Sequence, residues 1–304
     1  MDRDITSVVK KGTDRKSIMD SCKEYLQKKI DLTKKNRNYS KIVALIGRDK
    51  RVIDFGCGSG YFTKILKDKG CRVTCIDILE AEARKAIPFS ENVIIHDIDT
   101  INLKEQLNGK YDVALFADVL EHLKYPERIL LQTKRFLHPH GSIVISVPNI
   151  AHVTIRLALL MGKFNYQKRG ILDRTHLKHF TRESILRLLV ECGYRAQSID
   201  GTILGVSHFY IESVAKTIGV DNIKKFEEYL LKGDALVGQF VIKASVADYI
   251  PKSLDVPEIN EQFIDYENVK SYVLDLERKI SFLSKRKIER VFTFVRNCLR
   301  KYKQ

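Results

Sequence analysis

No stretch of the 304 residues approaches the ~20 consecutive apolar side chains that a membrane span requires, which predicts a soluble or peripheral protein. The opening MDRDITSVVKKGTDRK has neither an apolar core nor a small-residue cleavage site, so it does not read as a secretion signal. A cytoplasmic location is expected, with the inner face of the membrane as the peripheral alternative. Cysteine is scattered: Cys22, Cys57, Cys71, Cys75, Cys192 and Cys298 include no CxxC pair, which argues against a zinc or disulfide framework and for reduced, structural thiols. Internal repeats and low-complexity segments are also missing. Acidic residues are outnumbered, 38 against 53 Lys and Arg, and the net charge of +15 favours nucleic acid, an anionic lipid surface or a phosphorylated substrate without choosing among them.

What is present is a repeating pattern. From Lys50 to Val147 short apolar, β-branched runs alternate with amphipathic stretches, as in a parallel sheet with helices on both faces. Strands are read at RVIDFG, RVTCIDI, NVIIHDI, DVALFAD and SIVISVP, whose unbroken apolar character fits burial on both faces. Helices are expected over 60–69, 80–87, 102–108 and 126–137, the last opened by Pro126. Regularity lapses from Pro148 through Phe180; a helix then runs from Thr181 to Cys192. Strands at 194–200 and 237–245, separated by an insert with two helices, complete seven. The expected fold is therefore α/β, a doubly wound, seven-stranded, mostly parallel Rossmann-like sheet with helical extensions. Its parts are a basic helical extension at 1–41, a core at 42–246, a polar linker at 247–265 and a tail at 266–304. The tail begins with a heptad-like run, Val269 to Leu283, and becomes a basic amphipathic helix.

The segment VIDFGCGSGYF sets Gly56, Gly58 and Gly60 after a strand and before a helix, where a nucleotide-like cofactor can approach bare backbone and helix-terminal N–H groups. The spacing is G-x-G-x-G, and Tyr61 stands where the last glycine of a dinucleotide fingerprint would be. A turn shaped only by packing is the alternative. Acids recur at successive strand ends, where ligands of doubly wound sheets bind. Asp77 ends the second strand, placed to accept two ribose hydroxyls; Asp97 ends the third, placed to accept from an adenine amino group; Asp118 ends the fourth beside the crevice.

The strings VIDFGCGSG, CIDI, HDID and FADVLEHL resemble the successive motifs of class I S-adenosylmethionine (SAM)-dependent methyltransferases, over roughly residues 38 to 246. The resemblance implies SAM as cofactor and a binding site made of Asp54, Gly56, Cys57, Gly58, Gly60, Tyr61, Asp77, Ile78, Asp97, Ile98, Ala117 and Asp118. In it the glycine loop holds the methionine part, Asp77 the ribose, and Asp97 with Ile98 the adenine, while Asp54 organises the loop and the amino group.

Methyl transfer from a sulfonium is an in-line displacement, so the chain must align an acceptor and, for a hydroxyl, remove its proton. His122 and His176 are the candidate catalytic residues; His179 beside them reads as a packed or surface histidine. The strings LEH and DRTHLKHFT resemble a bacterial branch associated with polysaccharide and cell-envelope glycan biosynthesis, which implies O-methylation of a small-molecule or glycan hydroxyl. The basic tail suits an anionic membrane surface; a solvated or oligomerising helix is the alternative. Asp118, Glu121, His122 and His176 also resemble the divalent-metal cluster of small-RNA 3′-end and ubiquinone-pathway O-methyltransferases. Asp118 departs from the Glu of the RNA enzymes, and a metal-free site is the expectation adopted. An RNA 2′-O-methyltransferase would suit the charge, but the charge lies in the flanks and no RNA-binding module is recognised, so nucleic acid is not the expected partner. A non-catalytic SAM-binding adaptor and a nicotinamide oxidoreductase are the other rivals.

Overall fold

The computed structural model describes residues 36–247. The linker and tail expectations beyond residue 247, most of the N-terminal extension, Cys22 and Cys298 lie outside the described residues. Helix α1 (Asn38–Ile46) leads into β1 (Arg51–Phe55), α2 (Tyr61–Asp68), β2 (Arg72–Asp77), a one-turn α3 (Glu80–Ala83), β3 (Asn92–Ile95), a one-turn α4 (Leu103–Gln106) and β4 (Tyr111–Ala117). Then come α5 (Pro126–Lys134), β5 (Leu137–Pro148), α6 (Val153–Leu160), α7 (Arg182–Glu191), β6 (Tyr194–Ile203), α8 (His208–Thr217), α9 (Ile223–Leu230) and β7 (Val237–Val246).

The strands form one sheet in the order β3-β2-β1-β4-β5-β7-β6. β1 to β5 run parallel, and β7 is antiparallel to both β5 and β6. The chain starts in the middle and winds outward both ways, so the strand order reverses between β1 and β4. In doubly wound sheets that reversal point, at the carboxyl ends of the strands, is where a ligand crevice forms. Burial explains the continuous apolar strands: Val52, Ile53 and Phe55 of β1 and Ala114, Leu115 and Phe116 of β4 are fully buried, and Phe55 stacks on Phe116 with centroids 4.4 Å apart. Because β6 ends and β7 begins at the crevice end, the insert carrying α8 and α9 lies there as well. Its apolar face joins α6 in a separate small core of Val153, Leu157, Ile211, Val214 and Leu230.

Several expected helices are shorter than their spacing suggests. The helix expected over 80–87 is α3 plus a 3-10 segment, Arg84–Phe89, that contains Pro88, a residue with no N–H to give a helical ladder. The helix expected to reach 137 stops at Lys134, because Leu137 pairs with Tyr111 and already belongs to β5. α6 falls in the stretch expected to be irregular. Its sequence, VTIRLALL, is apolar on nearly every side, so no amphipathic period marks it, and its N-cap is His152, whose ring accepts from the Thr154 amide. The expected start at Thr181 is a capping box: Thr181 Oγ1 accepts from the Ser184 amide at 3.2 Å, and Ser184 Oγ accepts from the Thr181 amide at 2.9 Å.

Candidate active site

The turn after β1 is held by its neighbours rather than by its own side chains. The Gly56 and Cys57 amides both donate to the Ile76 carbonyl of β2, at 2.8 and 3.3 Å, and the Gly58 amide donates to Asp77 Oδ2 at 2.7 Å. Asp77 Oδ1 accepts from the Leu79 amide at 2.8 Å. Asp77, buried at the end of β2, thus braces the loop; burial raises its pKa while these amide bonds oppose the rise.

The three glycines have different reasons to be glycine, although all are left-handed, at φ +68°, +51° and +81°. A Cβ at Gly56 would lie 2.8 Å from Val119 Cγ2, and one at Gly60 would lie 2.7 Å from the Ala86 backbone, so packing accounts for these two positions. A Cβ at Gly58 would meet nothing within 4 Å. Gly58 faces open space at the mouth of the crevice, where packing alone does not demand a bare backbone.

Asp54 sits beneath the loop, buried, and accepts from Thr63 Oγ1 at 3.0 Å. Burial pushes its carboxyl up to about 7, with the charge of Asp77 adding to the rise and Thr63 opposing it. Thr63, on the first turn of α2, is a positioning residue that the glycine motif did not single out. Around the mouth, Ile78 is exposed, while Ile98 is buried and Asp97 is half-buried, giving one oxygen to the Asp99 amide at 2.8 Å. Cys57 is buried, and Ala117 and Tyr61 are half-buried at the end of β4 and the start of α2. Cys57, Cys71, Cys75 and Cys192 are free and buried.

A second cluster lies just past the end of β4. Leu120–His122 forms a 3-10 turn, and the Leu177 and Lys178 amides donate to the Glu121 carbonyl at 2.7 and 3.0 Å. These bonds pin the 171–180 loop onto the turn. Within that loop Asp173 Oδ1 accepts from both the amide and the hydroxyl of Thr175, at 2.8 and 2.7 Å, and the His176 amide donates to the Asp173 carbonyl at 3.1 Å. The turn built on Asp173 aims two carbonyls at the histidines: His122 Nδ1 lies 3.2 Å from Thr175 O, and His176 Nδ1 lies 3.1 Å from Ile171 O. A carbonyl only accepts, so each Nδ1 carries the proton and each Nε2 presents a lone pair. Burial lowers the pKa of both rings, even though His122 reaches solvent at the rim, so they are neutral at pH 7.

One candidate ligand atom each from Glu121, His122 and His176 lies within 4.8 Å of the others. The Glu121 carboxylate is 1% exposed, and neither oxygen has a hydrogen-bond partner. Burial, and secondarily the charge of Asp118, hold its pKa well above the usual range. A buried carboxyl without donors is costly unless something fills the place, and two imidazole lone pairs with one carboxylate form a donor set suited to a divalent cation. Asp118, the fourth residue of the grouping drawn from the sequence, is not among the three within 4.8 Å; its Oδ1 accepts from Ser146 Oγ at 2.7 Å and from Gln239 Nε2, in strands β5 and β7. Beyond His176, His179 lies 6.3 Å away, centroid to centroid, and packs with Phe164 and Tyr166 in an aromatic group.

Residues 23–199, more than half of the chain, match the family model described as a methyltransferase domain. Among curated proteins, the chain is 30% identical over 104 residues to the ubiquinone biosynthesis O-methyltransferase of Dechloromonas aromatica (strain RCB), covering 33% of this chain and 45% of that protein. It is 26% identical over 143 residues to the protein of the same name from Rickettsia akari (strain Hartford), covering 46% and 53%. The chain thus spans about half the length of the curated relatives it matches. Among solved structures, magnesium protoporphyrin IX methyltransferase from Synechocystis PCC 6803 with bound SAH superposes with a TM-score of 0.49 at 15% identity, covering 76% of this chain and 95% of that one.

Proposed function

Because this chain belongs to the methyltransferase-domain family, we propose that it transfers a methyl group from SAM to a hydroxyl oxygen of a small acceptor. The observation that carries the acceptor chemistry is the unpartnered, buried Glu121 carboxylate with a ring nitrogen of each of His122 and His176 within 4.8 Å. In this reading the crevice over Gly58 takes the cofactor, with Asp54 toward its ammonium group, Asp77 toward the ribose, and Asp97 with Ile98 toward the adenine. SAM supplies an electrophilic methyl on a sulfonium sulfur, and the chain's task is then alignment and proton removal. Glu121, His122 and His176 would hold a divalent cation, which would lower the pKa of an acceptor hydroxyl. This departs from the metal-free site expected from the sequence, and what supports the departure is the cost of leaving Glu121 without a partner. The Asp173 turn fixes both histidine tautomers and so leaves each Nε2 lone pair free to bind the cation.

The relatives' shared description as O-methyltransferases supports an oxygen acceptor. The aromatic group of Phe164, Tyr166 and His179 offers ring faces on which a planar phenol or the apolar face of a sugar ring can stack. The glycan acceptor implied by DRTHLKHFT rests on that string, whereas the relatives from Dechloromonas aromatica and Rickettsia akari are named for ubiquinone biosynthesis. Peripheral attachment through the basic tail belongs to the same reading and rests on sequence alone; among the described residues no helix is long and apolar enough to cross a membrane. The test is incubation of the full chain with methyl-labelled SAM and, separately, phenolic acceptors, cell-envelope glycans and total RNA, with and without a chelator. Chelator-sensitive label on a phenol or glycan hydroxyl is expected, and label on RNA alone would contradict the proposal.

A further inference from the structure

A cavity of about 480 Å³ opens at the amino-terminal edge of the parallel strands, the end of the sheet away from the Gly58 crevice. Its lining includes Lys50 just before β1, Asp112 near the start of β4, His138 and His140 of β5, Gln197 of β6 and Lys243 of β7. The register explains how the histidines reach it. Tyr111 pairs with Leu137 and Val113 with Ser142, so residues 138–141 face a single residue of β4, Asp112, and are extruded from the sheet. The extrusion is tight: a Cβ on Gly141 would lie 3.0 Å from both the amide nitrogen and the carbonyl oxygen of His138.

The polar groups of this cavity are mostly donors. Lys243 Nζ gives one bond, to the Leu45 carbonyl at 3.2 Å, and keeps two N–H groups. Asp112, the acid of the lining, has Oδ2 engaged by the Arg51 amide at 2.8 Å. Neither lysine forms an ion pair with another described residue. A metal is not what the histidines are assembled for, because among the described residues the group of three metal-type donors is the Glu121 trio and not this one.

We propose that this cavity is a second binding site, for a phosphate-bearing small molecule. Two lysines, two histidines and a glutamine, against the one acid Asp112, border a space large enough for a phosphomonoester or diphosphate of a small organic group. A phosphate, with several acceptor oxygens at one centre, matches converging donors better than a carboxylate does. Strands of five to seven residues at ~3.3 Å each put the cavity about 15–20 Å from the methyl-transfer crevice. Its ligand therefore touches none of the residues assigned to that reaction.

The test uses the full chain with 13C-labelled histidine, titrated with inorganic diphosphate in about 150 mM salt, where weak surface attraction is screened. The ring signals of His138 and His140 are expected to shift saturably, with an apparent Kd on the order of 1 mM or tighter, while those of His122 and His176 stay fixed. Lys50→Gln with Lys243→Met should weaken binding about tenfold, the loss of charge-assisted hydrogen bonds. His138→Asn with His140→Asn, on the exposed excursion, gives a second variant should the Lys243 change disturb the sheet. A shift that fails to saturate, one shared by all histidines, unchanged affinity in a folded variant, or a response to phosphatidylglycerol vesicles but not to diphosphate would each overturn the proposal.

Discussion

Replacing Asp54 with asparagine isolates the electrostatic cost of building the crevice. The Asp54 carboxyl is 2% exposed and titrates at about 7, against an ordinary value of 3.8, mainly because burial disfavours its charge. Between those two values the folded protein holds a proton that the unfolded chain has released. Stability from this group is therefore full below pH 3.8 and is lost as pH rises through about 7. The whole gap corresponds to about 4 kcal/mol at ~1.4 kcal/mol per pH unit, roughly half of it falling between pH 5 and 7. Asparagine keeps an oxygen to accept from Thr63 and has no proton to lose. Urea unfolding of the cofactor-free protein, followed by circular dichroism at pH 5 and pH 8, should show Asp54→Asn gaining about 2–3 kcal/mol on the native chain over that interval. Parallel pH profiles for the two proteins would refute the reasoning. Under the proposed function, cofactor affinity should also rise from pH 6 to pH 8, because only ionised Asp54 attracts an ammonium group.

Gly60→Ala should cost about 2–4 kcal/mol, since its Cβ would meet the Ala86 backbone at 2.7 Å, whereas Gly58→Ala should cost only ~1 kcal/mol of left-handed strain; equal denaturation midpoints would contradict this division. His176→Ala should leave SAM affinity within about twofold and lower turnover on the order of 100-fold, measured by calorimetry and methyl release, and full turnover would remove it from the reaction. Mn²⁺ should raise the melting temperature of the native chain and leave that of Glu121→Gln unmoved; an equal rise in both would argue against a cation at the trio.

The sheet was legible because its central strands, buried on both faces, spell themselves as unbroken apolar runs, and each such run from Arg51 to Pro148 contributes a strand; β3, at the sheet edge, buries only Ile94 although its run is as apolar. What the sequence concealed is of two kinds. α6 was hidden by a composition too uniformly apolar to show a period, and α5 ended early because the pairing of Leu137 with Tyr111, a contact across the sheet, outweighs helix propensity. The candidate site divides in the same way. The glycine loop and Asp77 lie next to recognisable strand ends, but nothing local says that Asp77 braces Gly58 or that Gly56 and Gly60 are demanded by Val119 and Ala86. The trio depends on bonds between Glu121 and residues more than fifty positions later. Asp118 belongs to the same grouping by resemblance, and the sequence does not show that Ser146 and Gln239 arrive from other strands to bond its carboxylate.

The open space over Gly58 is the seat of the cofactor in the proposed reaction. Calorimetric titration of the full chain and of Gly58→Val with S-adenosylhomocysteine tests this directly, because no atom lies within 4 Å of the added Cβ, and circular dichroism checks that the variant folds despite the left-handed strain of a β-branched residue. The native chain should bind, and the variant, still folded, should lose affinity by about 100-fold or more. Equal affinity in the two proteins, or no binding to the native chain, would contradict the claim.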